Sequence, residues 1–504
     1  MFLPLDGDGE LYLQLLRALR SAVRDGRLLA GTRLPATRAL AAELKLSRNT
    51  VLAAYELLCA EQLAVARSGS GTFVADALPR HRQQPRAEPV DAQSAYAARL
   101  RRLPPLPLPT RRSDLPIDFQ YGEPMTHLAL FTSWSRALTH AAARAQPGYP
   151  APQGSLHLRA QIVAHLGRRR GVACEADDVV IVNGTQQAFS VLARVLLDEG
   201  DRVVVEEPGY ALAKHCLMAH GAEVVAVPVG ADGLEVARLP SAPPARMIVV
   251  TPSHQFPLGV TLSLPMRQAL LQHAARNGSW IVEDDYDGEF GFEGRALPAL
   301  RALDAGDRVI YIGTFSKTIL PSLRLGYIVC PRSLRDDIVL AKRTMDVASS
   351  GIEQQALARF MASGAFDRHL KRTALELRRR RRALNDGLAA QCGERLVPQD
   401  SGTGMHLVAW LPGFDAAAVR RLIAKAEQRG LGLHSLAPHY ESTPPMQALL
   451  IGYAATSVSQ IHKATCLLGE SLDAVTRLGR REHETAGAGG RPRLAGVRRV
   501  ARSN

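Results

Sequence analysis

The 504-residue chain is predicted to be multidomain: a small α+β head, then a large α/β body that ends in a smaller C-terminal α+β subdomain. Three observations predict this. The first 75 residues space their apolar side chains as short helices closed by turn signals. Residues 76–115 lose that periodicity and fill with proline and arginine. From residue 116, near-continuous Val/Ile runs alternate with amphipathic stretches, as in a mainly parallel sheet covered on both faces. The length allows about three domains of ordinary size. A chain 46% hydrophobic and 22% charged can bury a large core, which excludes disorder throughout.

Residues 10–24 (ELYLQLLRALRSAVR) form a helix closed by Asp25-Gly26. A second helix runs from Thr37 to Leu44. The turn Lys45-Leu46 then leads to Ser47, the N-cap of a third helix reaching about Gln62. Leu63–Ala66 and Thr72–Ala75 flank Arg67-Ser68-Gly69-Ser70-Gly71, a hairpin with a glycine-rich tip. These are the parts of a winged helix-turn-helix, whose third helix enters the DNA major groove with its N-terminal residues at base edges. Arg48 can grip guanine, Asn49 can pair with adenine, and Ser47 and Thr50 can hold phosphates. Arg38 and Arg67 are candidates for phosphate or minor-groove contacts, and Gly69 lets the wing tip approach the backbone. Residues 10–75 resemble the DNA-binding domain of GntR-family bacterial repressors over nearly their whole length. Lys45 and Gln62 stand where that family usually has glycine, and a side chain in a left-handed turn costs about 1 kcal/mol.

Residues 77–115, with Pro79, Pro85, Pro89, Pro104, Pro105, Pro107 and Pro109, are read as an extended linker between the head (1–76) and the body (116–476). The net charge of +14 is concentrated outside the two folded blocks. Eight arginines face two acids in 80–112, and eight face two again in 477–504. Such arms attract a polyanion without reading its sequence, and residues 477–504 are expected to be a disordered basic tail. Arg378 to Arg382 lie in a helical pattern and so point around several faces. No apolar run is long enough to span a bilayer. Met1-Phe2-Leu3-Pro4-Leu5-Asp6 lacks the cations of a secretory signal, so a cytoplasmic protein without membrane partners is expected. Six scattered cysteines without a C-x-x-C pair suit reduced thiols and give no metal site.

In the body, VVIVN (179–183), RVVVEE (202–207), EVVAVPV (223–229), RMIVVTP (246–252), SWIVEDD (279–285) and RVIYIGTF (308–315) are strand candidates. MHLVAWL (405–411) and ALLIGYA (448–454) belong to the smaller subdomain. Ser316-Lys317 follows one strand, and a lysine in a sheet-end loop can form a Schiff base where its neutral amine is favoured. Asp284 ends another strand, where a carboxylate can keep a pyridine nitrogen protonated. Gly184-Thr185-Gln186 opens a helix after a third strand, a phosphate site made of backbone N–H groups. Thr314 and Arg324 can complete the phosphate cup, and Tyr210 supplies an aromatic face.

Lysine, acid, phosphate cradle and aromatic residue in this order resemble fold-type I pyridoxal-phosphate enzymes of the aminotransferase class, over about 116–475. The resemblance implies a PLP-dependent transferase fold and pyridoxal 5'-phosphate as cofactor. It makes Lys317 the lysine that carries the cofactor, Asp284 the pyridinium partner, Tyr286 a hydrogen-bond donor to the ring oxygen and Tyr210 a stacking ring. Tyr149 would reach the phosphate in a neighbouring subunit, which implies a homodimer.

A GntR-like reader joined to an aminotransferase-like body is the architecture of the MocR subfamily of bacterial regulators. The stretch Pro252-Ser253-His254-Gln255-Phe256-Pro257-Leu258-Gly259 is similar to the regulator version of a motif that in working aminotransferases carries an asparagine beside the ring oxygen. Phenylalanine at 256 cannot make that hydrogen bond, and His254 or Gln255 is the expected substitute. Leu450 stands where the enzymes carry a carboxylate-clamping arginine, and Leu212 where an amino-acid-sensing relative has another. The resemblance thus implies a DNA-binding regulator that senses pyridoxal phosphate itself or a small amino compound other than an amino acid. The competing expectations are an active transaminase with an autoregulatory head and a scaffold that does not bind DNA.

Overall fold

The computed structural model describes residues 3–76, 94–105, 114–291, 298–399, 402 and 404–488, with backbone alone for 478–488. The chain forms two compact units, Met1–Ala92 and Gln93–Asn504.

The first unit holds α1 (Leu11–Arg24), α2 (Thr37–Leu44), α3 (Arg48–Ala60) and the hairpin strands β1 (Ala64–Arg67) and β2 (Gly71–Val74). The helical spacing of α1 buries Leu15, Leu16, Leu19, Ala22 and Val23 with Val51, Ala54, Tyr55 and Leu58 of α3. Each fully buried leucine there contributes about 2 kcal/mol. The hydroxyl of Tyr55 donates to Pro35 O at 2.9 Å, which fixes the chain entering α2. Ser47 caps α3 by accepting from Thr50 N at 3.0 Å. Lys45 and Gln62 both adopt left-handed backbone, with φ of 56° and 59°, so the two places where glycine is the usual residue are the places that need it.

The second unit opens with a helix, α4 (Ala95–Arg102), inside the segment that the sequence leads one to read as extended. Ser94 caps it through Ala97 N at 3.2 Å, and Arg99, Arg101 and Arg102 lie in its last turn, where cations suit the helix dipole. It docks on the helix Ala211–Ala219 and its exit. Arg99 donates to Ala219 O at 2.9 Å and to Glu199 at 2.8 Å, and Tyr96 meets His220 edge-on at 5.5 Å. Local alanine content, a cap and a guanidinium fork outweigh the surrounding prolines. The rest of the linker, 77–93 and 106–113 with Arg111 and Arg112, lies outside the described residues.

After β3 (Ile117–Asp118), which pairs with Leu431–Gly432, come β4 (Val179–Val182), β5 (Arg202–Glu207), β6 (Glu223–Gly230), β7 (Gly233–Leu234), β8 (Met247–Val250), β9 (Trp280–Asp285), β10 (Val309–Thr314) and β11 (Gly326–Val329). These build the eight-stranded sheet of the body, with the order β4-β11-β10-β9-β8-β5-β6-β7. The pairs from β10 through β9, β8 and β5 to β6 are parallel, and β11 runs antiparallel between β10 and β4. All six predicted strands are present, whereas β11 was not foreseen in the sequence. Apolar clusters cover the sheet on both faces, Val180, Val182 and Ile312 in one, Ile181, Tyr311 and Val329 in another.

The smaller subdomain has a three-stranded antiparallel sheet of Val397–Pro398, His406–Trp410 and Ala448–Gly452. The helices Ala365–Cys392 and Val458–Ala488 pack on it. In the arginine run Arg381 turns inward and is buried, while Arg378, Arg379 and Arg382 are exposed. The last helix continues to Ala488, so residues 477–488, expected to be disordered, are helical; arginine and glutamate there are good helix formers. Residues 489–504 lie outside the described residues. Among the described residues no helix is long and apolar enough to cross a membrane.

Candidate functional site

Strands β4, β5, β8, β9 and β10 release their chains at one edge of the sheet, where ligands of open α/β sheets bind. A cavity of about 450 Å³ lies there, lined by Thr185, Gln186, Tyr210, Asp284, Tyr286, Thr314, Ser316, Lys317 and Arg324. These are nine of the eleven cofactor-binding candidates. Gly184 adjoins them as the N-cap of the helix Thr185–Leu196. Tyr149 does not line this cavity and is 90% exposed.

Lys317 donates from Nζ to Gly122 O at 2.6 Å. Burial holds its amine below the usual lysine range, against the opposing pull of Asp287, Asp284 and Glu123, so a neutral nucleophilic amine is easier to reach. Asp284, opposite Ile312 in the β9–β10 register, is 4% exposed, and its Oδ1 has no hydrogen-bond partner. Burial, then Asp285, Asp287 and Glu206, push its carboxyl up to about 8. A buried unpaired carboxyl is costly, and a pyridinium N–H would satisfy it. At the other end, Gly184 has φ of 85°, and a Cβ there would come within 2.9 Å of the Arg324 guanidinium. Arg324 itself donates to Asn183 O at 2.9 Å. Ser316 N donates to Thr314 Oγ1 at 3.1 Å. A helix N-terminus beside an arginine favours a phosphate dianion. An amine, an unmet acid and an anion cradle in one cavity fit pyridoxal phosphate.

The second half of the cavity comes from parts of the chain that no motif marked: Tyr121, Gly122, Glu123, Met405, His406 and His439. Only the small subdomain's fold brings them in, so local spacing carried no signal. Phe256 also lines the cavity, edge-on to Tyr210 at 6.0 Å and to His439 at 5.1 Å. Neither expected substitute for an asparagine there reaches the cavity. Gln255 donates to Pro208 O at 2.8 Å and to Phe256 O at 2.7 Å, and His254 sits behind Tyr286, 2.9 Å from its hydroxyl. The loop is fixed from below by Arg267, fully buried, which donates to Pro252 O at 2.7 Å, Leu262 O at 2.8 Å and Pro298 O at 2.8 Å. Leu212 lines the cavity. Leu450 does not; it is buried with Leu258, Val408 and Leu436.

In the head, Arg48 and Asn49 are exposed at the start of α3, and Arg38 is exposed on α2. Ser47 Oγ and Thr50 Oγ1 lie 2.7 Å apart. Arg67 pairs with Asp76 at 3.2 Å and covers the Phe73 ring at 4.7 Å, an exposed pairing weak enough to yield to a phosphate. Gly69 has φ of 72° at the wing tip. Arg33, which precedes α2 in the chain, packs its side chain against Gly71 of the wing.

Residues 11–74 match the family of bacterial regulatory proteins, gntR family, and residues 116–427 match aminotransferase class I and II. The probable rhizopine catabolism regulatory protein MocR of Rhizobium meliloti is 37% identical over 90% of this chain and 92% of its own length. The HTH-type pyridoxine biosynthesis transcriptional regulator PdxR of Corynebacterium glutamicum is 31% identical over 92% of this chain and 95% of its own. Among solved structures, the α-aminoadipate aminotransferase LysN of Thermus thermophilus, complexed with N-(5'-phosphopyridoxyl)-L-leucine, matches with a TM-score of 0.66 and 26% identity over 77% of this chain and 98% of that one. Head, cavity and relatives agree: the chain belongs to the MocR-type transcriptional regulators of the GntR family, a DNA-binding head on an aminotransferase-like body whose cofactor is pyridoxal 5'-phosphate.

Proposed function

We propose that the body works as a sensor and that the cavity holds the cofactor through the residues named above. In this reading Lys317 carries it, Asp284 meets its ring nitrogen, and Tyr286 meets its ring oxygen. Tyr210 stacks on the ring, while Gly184, Thr185, Gln186, Thr314, Ser316 and Arg324 hold its phosphate. Bound there, pyridoxal phosphate supplies an aldehyde that captures amines. The observation that carries the reading is Asp284 Oδ1, buried and unpartnered in the same cavity as the Lys317 amine. Tyr149, almost fully exposed on its own subunit, completes the phosphate site of a second copy, which makes the working form a homodimer. The protein acts in the cytoplasm, where its DNA is.

The effector is pyridoxal phosphate itself or a small amine without a carboxylate. Beyond Lys317 and Arg324, the cavity residues among those described are aromatic, apolar, acidic, imidazole, hydroxyl or amide, and none carries a fixed positive charge. Burial pushes His439 down to about 4 and keeps His406 well below its ordinary range, so neither supplies a cation near neutral pH. Carboxylates are best held by an arginine fork, and Leu450 is packed in an apolar cluster instead. Binding shifts the closure of the body, and α4, latched to the helix that begins beside Tyr210, passes the shift toward two heads. In each head Ser47, Arg48, Asn49 and Thr50 read the major groove, while Arg38, Arg67 and Gly69 meet the backbone or minor groove.

The test is absorbance of the purified protein with added pyridoxal phosphate, followed by borohydride reduction and mapping of the labelled residue. A visible band trapped on Lys317, and lost in Lys317→Ala, is expected. A colourless protein, or label on another lysine, would overturn the assignment. Sustained multiple turnover with amino donors and keto acids would favour an enzyme over a sensor.

A further inference from the structure

Behind Tyr286 lies a buried pair that binding of the cofactor does not itself require. His254 and Asp287 are each 2% exposed. A single imidazole nitrogen serves two oxygens: His254 Nδ1 is 2.8 Å from Asp287 Oδ2 and 2.9 Å from the Tyr286 hydroxyl. We propose that His254, held by Asp287, is a positioning residue that turns the Tyr286 hydroxyl proton into the cavity, toward the ring oxygen of the cofactor. This rests on the cofactor placement given above.

A buried carboxylate needs a donor, and the nearest is Nδ1–H, so Asp287 selects that tautomer. Nδ1 then donates to both oxygens and cannot accept from the tyrosine. The Tyr286 proton must leave on the other side, where the cavity is. Nε2 is buried without a partner, so Nδ1 alone meets the two oxygens. The ring is also held in place. Gly404, with φ of 87°, packs so closely that a Cβ would overlap the imidazole. Gly404 is in turn tied by Tyr453, whose hydroxyl donates to its carbonyl at 2.7 Å. Phe256, edge-on to Tyr286 at 5.8 Å, offers the ring oxygen no hydrogen bond, so the tyrosine's direction matters more here.

Other charges also face this tyrosine: Asp284, Asp285 and Asp287 from β9 and the turn after it, and Glu206 from β5. His406 of the small subdomain lies 5.0 Å from the His254 ring, and Lys317 stands across the cavity. Apart from Asp287, which is itself varied, they act equally in the variants below, so His254→Leu, which leaves every carboxylate in place, isolates the hydrogen bond from the field of the charges.

The experiment is the pH midpoint of the visible band of the full-length, cofactor-loaded protein. Tyr286→Phe, His254→Leu and Asp287→Asn are each compared with wild type, as is the double variant of Tyr286 and His254. Loss of a donor to the ring oxygen disfavours its anionic form, so each single change is expected to raise the midpoint by about one unit. The double variant should move no further than Tyr286→Phe. His254→Asn, whose amide can replace Nδ1–H, should keep most of the wild-type value. Unmoved midpoints in His254→Leu and Asp287→Asn while Tyr286→Phe shifts would overturn the proposal, as would additive shifts in the double variant. If Tyr286→Phe itself shifts nothing, the proposal and the placement of the ring oxygen fall together. If wild type shows no band, the cofactor reading fails instead. Should His254→Leu not fold, Asp287→Asn and His254→Asn carry the same test.

Discussion

At the scale of single residues, the strongest constraint is an acid that the protein alone leaves unsatisfied. Burial raises Asp284 to about 8 from 3.8, so the cofactor-free fold keeps its proton over a range where the unfolded chain has lost it. The folded state then binds more protons between about pH 4 and 8, and stability falls as pH rises through that window. Asp284→Asn removes this dependence. Without cofactor, the variant should gain melting temperature relative to wild type on going from pH 5 to pH 8. A constant difference across that range would contradict the burial argument. With cofactor the sign reverses, because a charge-assisted hydrogen bond worth about 1.5–3 kcal/mol is lost, and fluorescence titration should show pyridoxal phosphate bound at least ten-fold more weakly. Asp284, Lys317 and Gly184 were legible in the sequence because this chemistry needs an acid, an amine and a glycine at strand ends. Tyr121, His406 and His439 were not, since segments far apart in the chain supply them and no spacing links them.

At the scale of elements, local rules account for the head. Ser47→Ala should cost about 1 kcal/mol through loss of the α3 cap, measured by denaturant unfolding of the protein. Lys45→Gly should stabilise by up to about 1 kcal/mol, because Lys45 holds a left-handed backbone that glycine adopts without strain; a loss of stability would show that the lysine side chain makes a contact worth more than the strain. Both turns were readable as departures from a glycine pattern. The α4 helix was hidden for a physical reason. Its docking depends on Glu199 and Ala219, 100 and 120 residues from Arg99, and prolines dominate its surroundings. Arg99→Ala should speed amide hydrogen exchange in residues 95–102 several-fold while leaving the sheet unchanged. Unaltered exchange would mean that the latch does not hold the helix. Strand β11 escaped notice because its four-residue run opens on a glycine, a residue depleted in strands.

At the scale of the molecule, sequence showed the division of labour better than the mechanism. Charge concentrated in arms, a periodicity change near residue 116 and two unrelated motif sets each pointed to separate reading and sensing parts. How the body's state reaches the head depends on long-range contacts that a linear pattern does not encode. In the homodimer proposed above, two tethered heads would gain avidity only when both half-sites are in reach, so a modest change in the body would change the DNA footprint. If the cofactor at Lys317 sets the DNA-bound state, footprinting of the full-length protein on DNA upstream of its own gene, with and without pyridoxal phosphate, in wild type and Lys317→Ala, will show it. The cofactor should change the protected pattern or the affinity in wild type and leave Lys317→Ala unaffected. Identical footprints with and without cofactor in wild type, or an equal response in Lys317→Ala, would contradict it.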